Sequence, residues 1–308
     1  MSKVAFLFAG QGAQYPGMGQ DIYENFPAAK AVFEQASSVM GMDMAELCFK
    51  GSPEALAQTG NSQPAIFTHA LAVFAVLKEQ KCFPAGYAGF SLGECTALTA
   101  AGALTYLDGF KVIRERAQAM QQAAESSNGA MAAIMGLDAD KITDICNKIP
   151  GLVEAVNYNC PGQTVIAGDK AAVEQAVTDL SAAGAKKAIP LKVNAAFHTP
   201  LMKEAAIKFN EAISNIEWQT ADAPIYSDID AKPNSFTASP AEYLTKQINS
   251  AVIWQKLIEQ MIIDGFDTFV ELGPGKALSG FTKRINRGVT IMNAEDSNSI
   301  AAVVAALA

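Results

Sequence analysis

Positive charge is scarce in this chain: 23 Lys and Arg stand against 31 Asp and Glu, a formal net charge of −8. Phosphate binding needs a basic face, so nucleic acid is excluded as a general partner, although a local basic patch is not. Long hydrophobic runs are missing as well, and none approaches the length that spans a bilayer. Met1-Ser2-Lys3 passes straight into the strand-like Val4-Ala5-Phe6-Leu7-Phe8, with no export signal, so the expectation is a soluble, cytoplasmic protein without a membrane partner. Cysteine is sparse and odd in number. Cys48, Cys82, Cys95, Cys146 and Cys160 are widely spread with no Cys-x-x-Cys spacing, which argues against a disulfide framework or a zinc site and for reduced, buried thiols. Only two histidines, His69 and His198, are present, and there is no internal repeat or low-complexity segment.

What is abundant is apolar residue, 50% of the 308, with many Ala and Gly, enough for a large core of tightly packed α/β layers. After the first strand, Ala9 to Gln14 is a small-residue turn that lets backbone approach closely. Periodicity predicts helices over 21–40, 64–80, 94–101 and 106–124. Pro64 would sit in the first turn of the second of these, where its missing N–H costs nothing. The last carries Phe110, Val112, Ile113, Ala117 and Met120 as its apolar positions. The middle of the chain then reads as strand 131–135, helix 139–148, strands 153–158 and 164–167, helix 171–183 and strand 187–192. That βαββαβ order is ferredoxin-like, and residues 128–195 are expected to form an inserted small subdomain. Residues 1–127 and 196–308 would form the core. Its second part alternates helices (200–215, 240–249, 254–264, 276–287) with strands (225–227, 268–272, 289–292), which favours a mostly parallel sheet covered on both faces. The Ala-rich 300–308 would be a short docked helix or a frayed end.

Gly89-Phe90-Ser91-Leu92-Gly93 is the sequence image of a nucleophile elbow, a strand turning sharply into a helix with the serine hydroxyl exposed at the turn. The glycines are needed where side chains would strike neighbouring backbone. The helix N-terminus offers N–H groups to an oxyanion on an attacked carbonyl. A serine needs a base. His69 lies inside an apolar helix and reads as a packed residue. His198 follows Asn194-Ala195-Ala196-Phe197 and precedes Thr199-Pro200, in a loop from which an imidazole can reach a cleft. Nucleophile before histidine is the chain order of α/β-hydrolase-type triads, so the expected fold class is α/β with an α/β-hydrolase-like core. No aspartate stands out as the third member, and a neutral carbonyl can orient an imidazole instead. A serine hydrolase remains open at this point.

Seven motifs then occur in order: Gly10 to Gln14, Gln63-Pro64-Ala65, Gly89 to Glu94, Arg114-Glu115-Arg116-Ala117, Asn159-Cys160-Pro161-Gly162-Gln163, Ala196-Phe197-His198 and Glu271 to Lys276. Over essentially its whole length the chain resembles the malonyl-CoA:acyl carrier protein transacylases and the acyltransferase domains of polyketide and fatty acid synthases. The resemblance implies that Ser91 carries the acyl ester, that His198 is its base, and that the N–H groups of Gln11 and Leu92 form the oxyanion hole. It implies further that a main-chain carbonyl of Gln247 orients the histidine and that Arg116 grips the free carboxylate of a malonyl group. Gln63, Asn159, Phe90 and Phe197 would line the substrate site.

The implied substrates are malonyl-CoA and an acyl carrier protein; transfer through a serine ester requires no cofactor, and a monomer is the simpler expectation. A dicarboxylic half-thioester presents a carboxylate that a guanidinium can bind through two parallel hydrogen bonds, and an acetyl group would leave the cation unpaired. Arg114 reads as a helix-surface charge. Two departures stand out. Phe90 replaces a histidine often found before the nucleophile, with an expected effect on pocket packing or acyl preference. Ala251 stands where a proline is common, which would make the loop after Gln247 less rigid. Phe197 occupies space that an α-methyl would need, which favours malonyl over methylmalonyl. An acidic carrier calls for a local positive rim, and Lys186, Lys187, Lys192, Lys283, Arg284 and Arg287 are the candidates.

Overall fold

The computed structural model describes residues 2–191 and 193–308. Among the described residues there are nine strands: β1 (Val4–Phe8), β2 (Gly86–Gly89), β3 (Gly129–Met135), β4 (Val153–Cys160), β5 (Gln163–Asp169), β6 (Lys187–Pro190), β7 (Ile225–Tyr226), β8 (Thr268–Leu272) and β9 (Thr290–Ala294). They form two sheets. One has five strands in the order β7-β2-β1-β8-β9, and every pairing in it is parallel. The other has four strands in the order β4-β5-β3-β6, all antiparallel. The α/β class and the βαββαβ order are as the sequence predicts.

Period-two alternation explains how the parallel sheet is covered. Phe6, Phe8, Tyr87, Val270 and Leu272 face one apolar cluster, with the helix Thr59–Glu79. Ala5, Leu7, Ala88 and Phe269 face another, with the helix Trp254–Ile263. The antiparallel sheet uses the same rule. Ala132, Ile134 and Ile166 pack with residues of the helices Ala139–Cys146 and Lys170–Ala182. Met131, Ala133, Val165 and Ala167 point the other way, into the large cluster beside the parallel sheet. The two sheets therefore share an apolar contact, and the site lies along it.

Several helices depart from the sequence expectation. The predicted 21–40 helix is two, Gln20–Asn25 and Pro27–Met40, because Pro27 opens the second in its first turn and Phe26 between them is extended. Helices Met44–Lys50 and Pro53–Ala57 lie where none was predicted, capped by the side chains of Asp43 and Ser52. Pro64 lies inside the helix Thr59–Glu79, more than a turn past its start, where it removes one backbone donor. The tail is a docked helix, Ser297–Leu307, opened by a capping box at Asp296 and Ser299. No helix among the described residues is long and apolar enough to cross a membrane, and all five cysteines are buried and free.

Candidate functional site

The chain turns from β2 into the helix Leu92–Ala100 at Ser91, whose φ of 54° is rare for a residue with a side chain. Its two flanking glycines have no room to be anything else. A Cβ on Gly89 would lie 2.0 Å from the Gly93 carbonyl carbon, and one on Gly93 would lie 2.1 Å from the Phe8 carbonyl oxygen. Backbone packing at those distances forces the elbow and leaves the hydroxyl at its tip.

His198, also at positive φ (65°), brings Nε2 to 2.8 Å from Ser91 Oγ. Its Nδ1 lies 3.1 Å from the Gln247 carbonyl oxygen and 3.0 Å from that of Ser250. Carbonyls can only accept, so Nδ1 carries the proton and Nε2 presents its lone pair to the serine. The third member is thus a pair of main-chain carbonyls. The loop that supplies them is held despite Ala251, since Val252 N–H donates to the Val156 carbonyl at 2.7 Å and Tyr158 N–H to the Val252 carbonyl at 2.9 Å. Burial, and then the nearby Arg116 charge, lower the His198 pKa to about 4.

Arg116 lies on the helix Tyr106–Ser126 among the predicted apolar positions, all of which are buried, and it is itself 0% exposed. Its Nη1 donates to Gln63 Oε1 at 2.8 Å, and Nη2 donates to Ser91 Oγ and Gln247 Oε1, both at 3.1 Å. Nε has no partner, and no carboxylate forms an ion pair with this guanidinium among the described residues. A buried cation held only by neutral oxygens is arranged to receive an anion. Arg114 instead pairs with Glu115 at the partly exposed side of the helix, as expected.

A pocket of about 100 Å³ opens over Ser91 and His198, lined by Gln11, Gln63, Phe90, Ser91, Phe197 and His198; Arg116 is not in its lining and is hydrogen-bonded to Gln63 and Ser91. Met120, Met131, Leu191 and Val193 add apolar walls and Asn157 a polar one; none of these five was singled out from the sequence as a site residue. Alternation along β3 places Met131 on the cleft face, a signal that was available. Asn159 is buried but does not line the pocket, and Asn157, two residues earlier on the irregular strand β4, does. Phe90 packs its ring against Trp254 (5.6 Å between centroids) and Phe281 (6.4 Å), so its bulk joins the apolar cluster behind the sheet. The N–H groups of Gln11 and Leu92 donate to no other described residue. His69 is fully buried and bonds the Glu295 carbonyl, a packed residue as read. Lys192 lies outside the described residues. No cluster of potential metal ligands is present among the described residues.

A serine on an elbow, an oriented imidazole, two free N–H groups and a buried guanidinium define a site suited to acyl chemistry through a serine ester on an α/β fold. Residues 5–302 match the acyl transferase domain family, and the chain belongs to it. It is 42% identical to the malonyl CoA-acyl carrier protein transacylase of Bacillus subtilis (strain 168), over 97% of this chain and 96% of the relative. It is 39% identical to the enzyme of the same name from Staphylococcus aureus (strain MRSA252), over 94% and 95%. Among solved structures, the malonyl CoA-acyl carrier protein transacylase of Clostridium perfringens superposes with a TM-score of 0.94 at 38% identity, covering 99% of this chain and 97% of that one. A malonyl-transacylase in complex with its type II PKS acyl-carrier protein superposes with a TM-score of 0.96 at 35% identity, covering 99% of this chain and 100% of that one.

Proposed function

We propose that this acyltransferase moves a malonyl group from malonyl-CoA to the phosphopantetheine thiol of an acyl carrier protein, through an ester on Ser91. The observation that carries the reading is Arg116: a fully buried guanidinium with no carboxylate ion-paired to it among the described residues, 3.1 Å from the Ser91 hydroxyl. In the first step Ser91 Oγ attacks the thioester carbonyl and its proton passes to His198 Nε2. The oxyanion is received by the N–H groups of Gln11 and Leu92, and CoA leaves as the thiol, taking the proton from His198. In the second step His198 removes the carrier thiol's proton, the thiolate attacks the ester, and the proton returns to Ser91. A thioester is already an activated acyl donor, so the sequence of steps calls on no metal or redox group.

Arg116 binds the malonyl carboxylate, and the apolar walls from Phe197, Met120 and Met131 keep water from the ester so that the thiol competes. Residues 128–195 are read as the small subdomain inserted in a core of 1–127 and 196–308, the two framing this cleft. Incubation with radiolabelled malonyl-CoA tests the reading. A stable protein adduct that is absent in Ser91→Ala and is discharged by phosphopantetheinylated carrier protein is expected; rapid release of malonate without an adduct would mean hydrolysis and overturn it.

A further inference from the structure

Two acidic side chains lie directly beneath the elbow, and none of the steps above uses them. Asp228 follows β7, and Glu94 stands in the first turn of the helix Leu92–Ala100; they are 0% and 1% exposed. Ser91 N–H donates to Asp228 Oδ2 at 2.7 Å, and Asp228 N–H donates to Glu94 Oε1 at 3.1 Å. A single nitrogen, Nε2 of Gln247, reaches both carboxyls, 2.6 Å from Glu94 Oε2 and 3.3 Å from Asp228 Oδ2. The Tyr243 hydroxyl donates to Glu94 Oε1 at 2.6 Å. Every one of these donors is neutral. No lysine or arginine forms an ion pair with either carboxyl among the described residues.

The charged group that acts on them is Arg116, two hydrogen bonds away across the Gln247 side chain. The other titratable neighbours are Cys95, whose thiol lies beside Arg116 and both carboxyls, Tyr243 on Glu94, Asp230 near Asp228, and His198 on the far side of Arg116. Two anions and one cation in a site closed to water would leave a net buried charge. Burial and then the charge of Asp228 push Glu94 well above the ordinary carboxylate range, and burial pushes Asp228 up to about 7.

We propose that Glu94 and Asp228 hold one proton between them and so carry a single negative charge in the working enzyme, which tunes the affinity of Arg116 for an anionic acyl group. With one charge on the pair, set off from Arg116 by the Gln247 side chain, the cluster is neutral overall while the guanidinium has no carboxylate hydrogen-bonded to it, so a substrate carboxylate can pair with it directly. When the shared proton is lost to solvent, the cluster is already negative and an incoming carboxylate is repelled. A neutral acyl group is indifferent to the change. Asp228 and Glu94 are positioning residues here, acting through Gln247 and Arg116 without touching substrate. The kinetic consequence rests on the reading of Arg116 as the malonyl carboxylate site; the shared proton does not.

Two measurements on the whole enzyme separate those parts. In infrared spectra taken across pH, a protonated carboxyl gives a C=O stretch that a carboxylate lacks. The wild type is expected to show such a band at neutral pH, lost on the alkaline side and absent from the double variant Asp228→Asn with Glu94→Gln. Over that same alkaline limb, the KM for malonyl-CoA is expected to rise roughly ten-fold, the scale of one added charge about 10 Å away at an effective dielectric of about 20. The KM for acetyl-CoA should stay flat, as should that for malonyl-CoA in the double variant. Absence of the carboxyl band from the wild type at neutral pH overturns the proposal whatever the substrate. A band accompanied by a flat KM for malonyl-CoA overturns the electrostatic role and leaves the assignment of Arg116 to be judged by its own variant. If the double variant fails to fold, the malonyl and acetyl comparison in the wild type still decides.

Discussion

Gln247 serves Ser91 from two sides: its side-chain amide donates to the Ser91 carbonyl at 2.9 Å, while its main-chain carbonyl holds the histidine that faces the Ser91 hydroxyl. The side chain also accepts from Arg116 and contacts Glu94. If only the carbonyl mattered, Gln247→Ala would transfer malonyl normally, since the backbone is unchanged. The expected result is a loss of roughly 10- to 100-fold in kcat/KM for malonyl-CoA, the scale of one to two buried hydrogen bonds at 1–3 kcal/mol each. Steady-state kinetics on a variant shown to be folded by thermal unfolding would check it.

The depressed pKa of His198 fixes the acid side of the rate profile. The group must be neutral to accept the serine proton, and its folded value is about 4, below the ordinary 6.5. Acylation should therefore persist through pH 5 to 6 and fall only as pH drops through about 4, as read from kcat/KM against pH. Arg116 is the second cause of that shift, after burial. Removing its positive charge in Arg116→Ala makes the imidazolium easier to form, so the acid limb should move upward toward 6.5 without reaching it. The comparison is made with acetyl-CoA as donor for both proteins, because Arg116→Ala should cost roughly 100-fold or more in kcat/KM for malonyl-CoA, as for a broken buried charge pair.

The elbow and the histidine that faces it were legible in the sequence because each sits in a local pattern, glycines at fixed offsets around Ser91 and a loop histidine before Thr199-Pro200. The βαββαβ order was legible for the same reason: period-two and helical runs alternate cleanly from 129 to 190. Asp228 and Glu94 were not read, since a buried acid looks the same in sequence as a solvated one. A hint existed for Asp228, which follows a short strand whose C-terminal end lies beside that of β2, where sites on parallel sheets gather. Arg116 carried a stronger one, a full charge at a position flanked by Ile113, Ala117 and Met120 on the buried face of its helix. The helices Met44–Lys50 and Pro53–Ala57 were missed because each is too short to show a period.

Glycine positions offer a sharp contrast in stability. Gly93→Ala places a methyl against the Phe8 carbonyl oxygen, a backbone atom that cannot step aside. A loss of about 3 kcal/mol or more is expected, or failure to fold. Gly280→Ala, inside the helix Ala277–Ile285 with no atom beyond its own helix backbone and chain neighbours within 4 Å of the added carbon, should gain about 0.5–1 kcal/mol. Urea unfolding of the two variants beside the wild type measures both.

Carrier docking is the remaining question of charge, because an acidic enzyme must receive what is proposed to be an acidic partner. Arg284 Nη1 donates to Gln163 Oε1 at 2.8 Å, which ties the last turn of the helix Ala277–Ile285 to the β4–β5 turn. Gly136 N–H donates to the Gly162 carbonyl at 2.8 Å in that same turn, and the Lys186 side chain lies over Gly136. The candidates Lys186, Lys187, Lys283, Arg284 and Arg287 are all exposed, and Lys186, Arg284 and their sequence neighbours so gather near one end of the antiparallel sheet. Reversing three charges, Lys187→Glu, Lys283→Glu and Arg287→Glu, spares the two residues with packing contacts. It should raise the KM for carrier protein about ten-fold or more at low salt, with the difference shrinking as salt is added, because screening weakens an attraction between exposed charges. The rate at which Ser91 is malonylated from malonyl-CoA, followed without any carrier present, should change less than two-fold. Unchanged carrier kinetics would place docking on another face, and an equal loss in both half-reactions would mean that the rim supports the fold of the site.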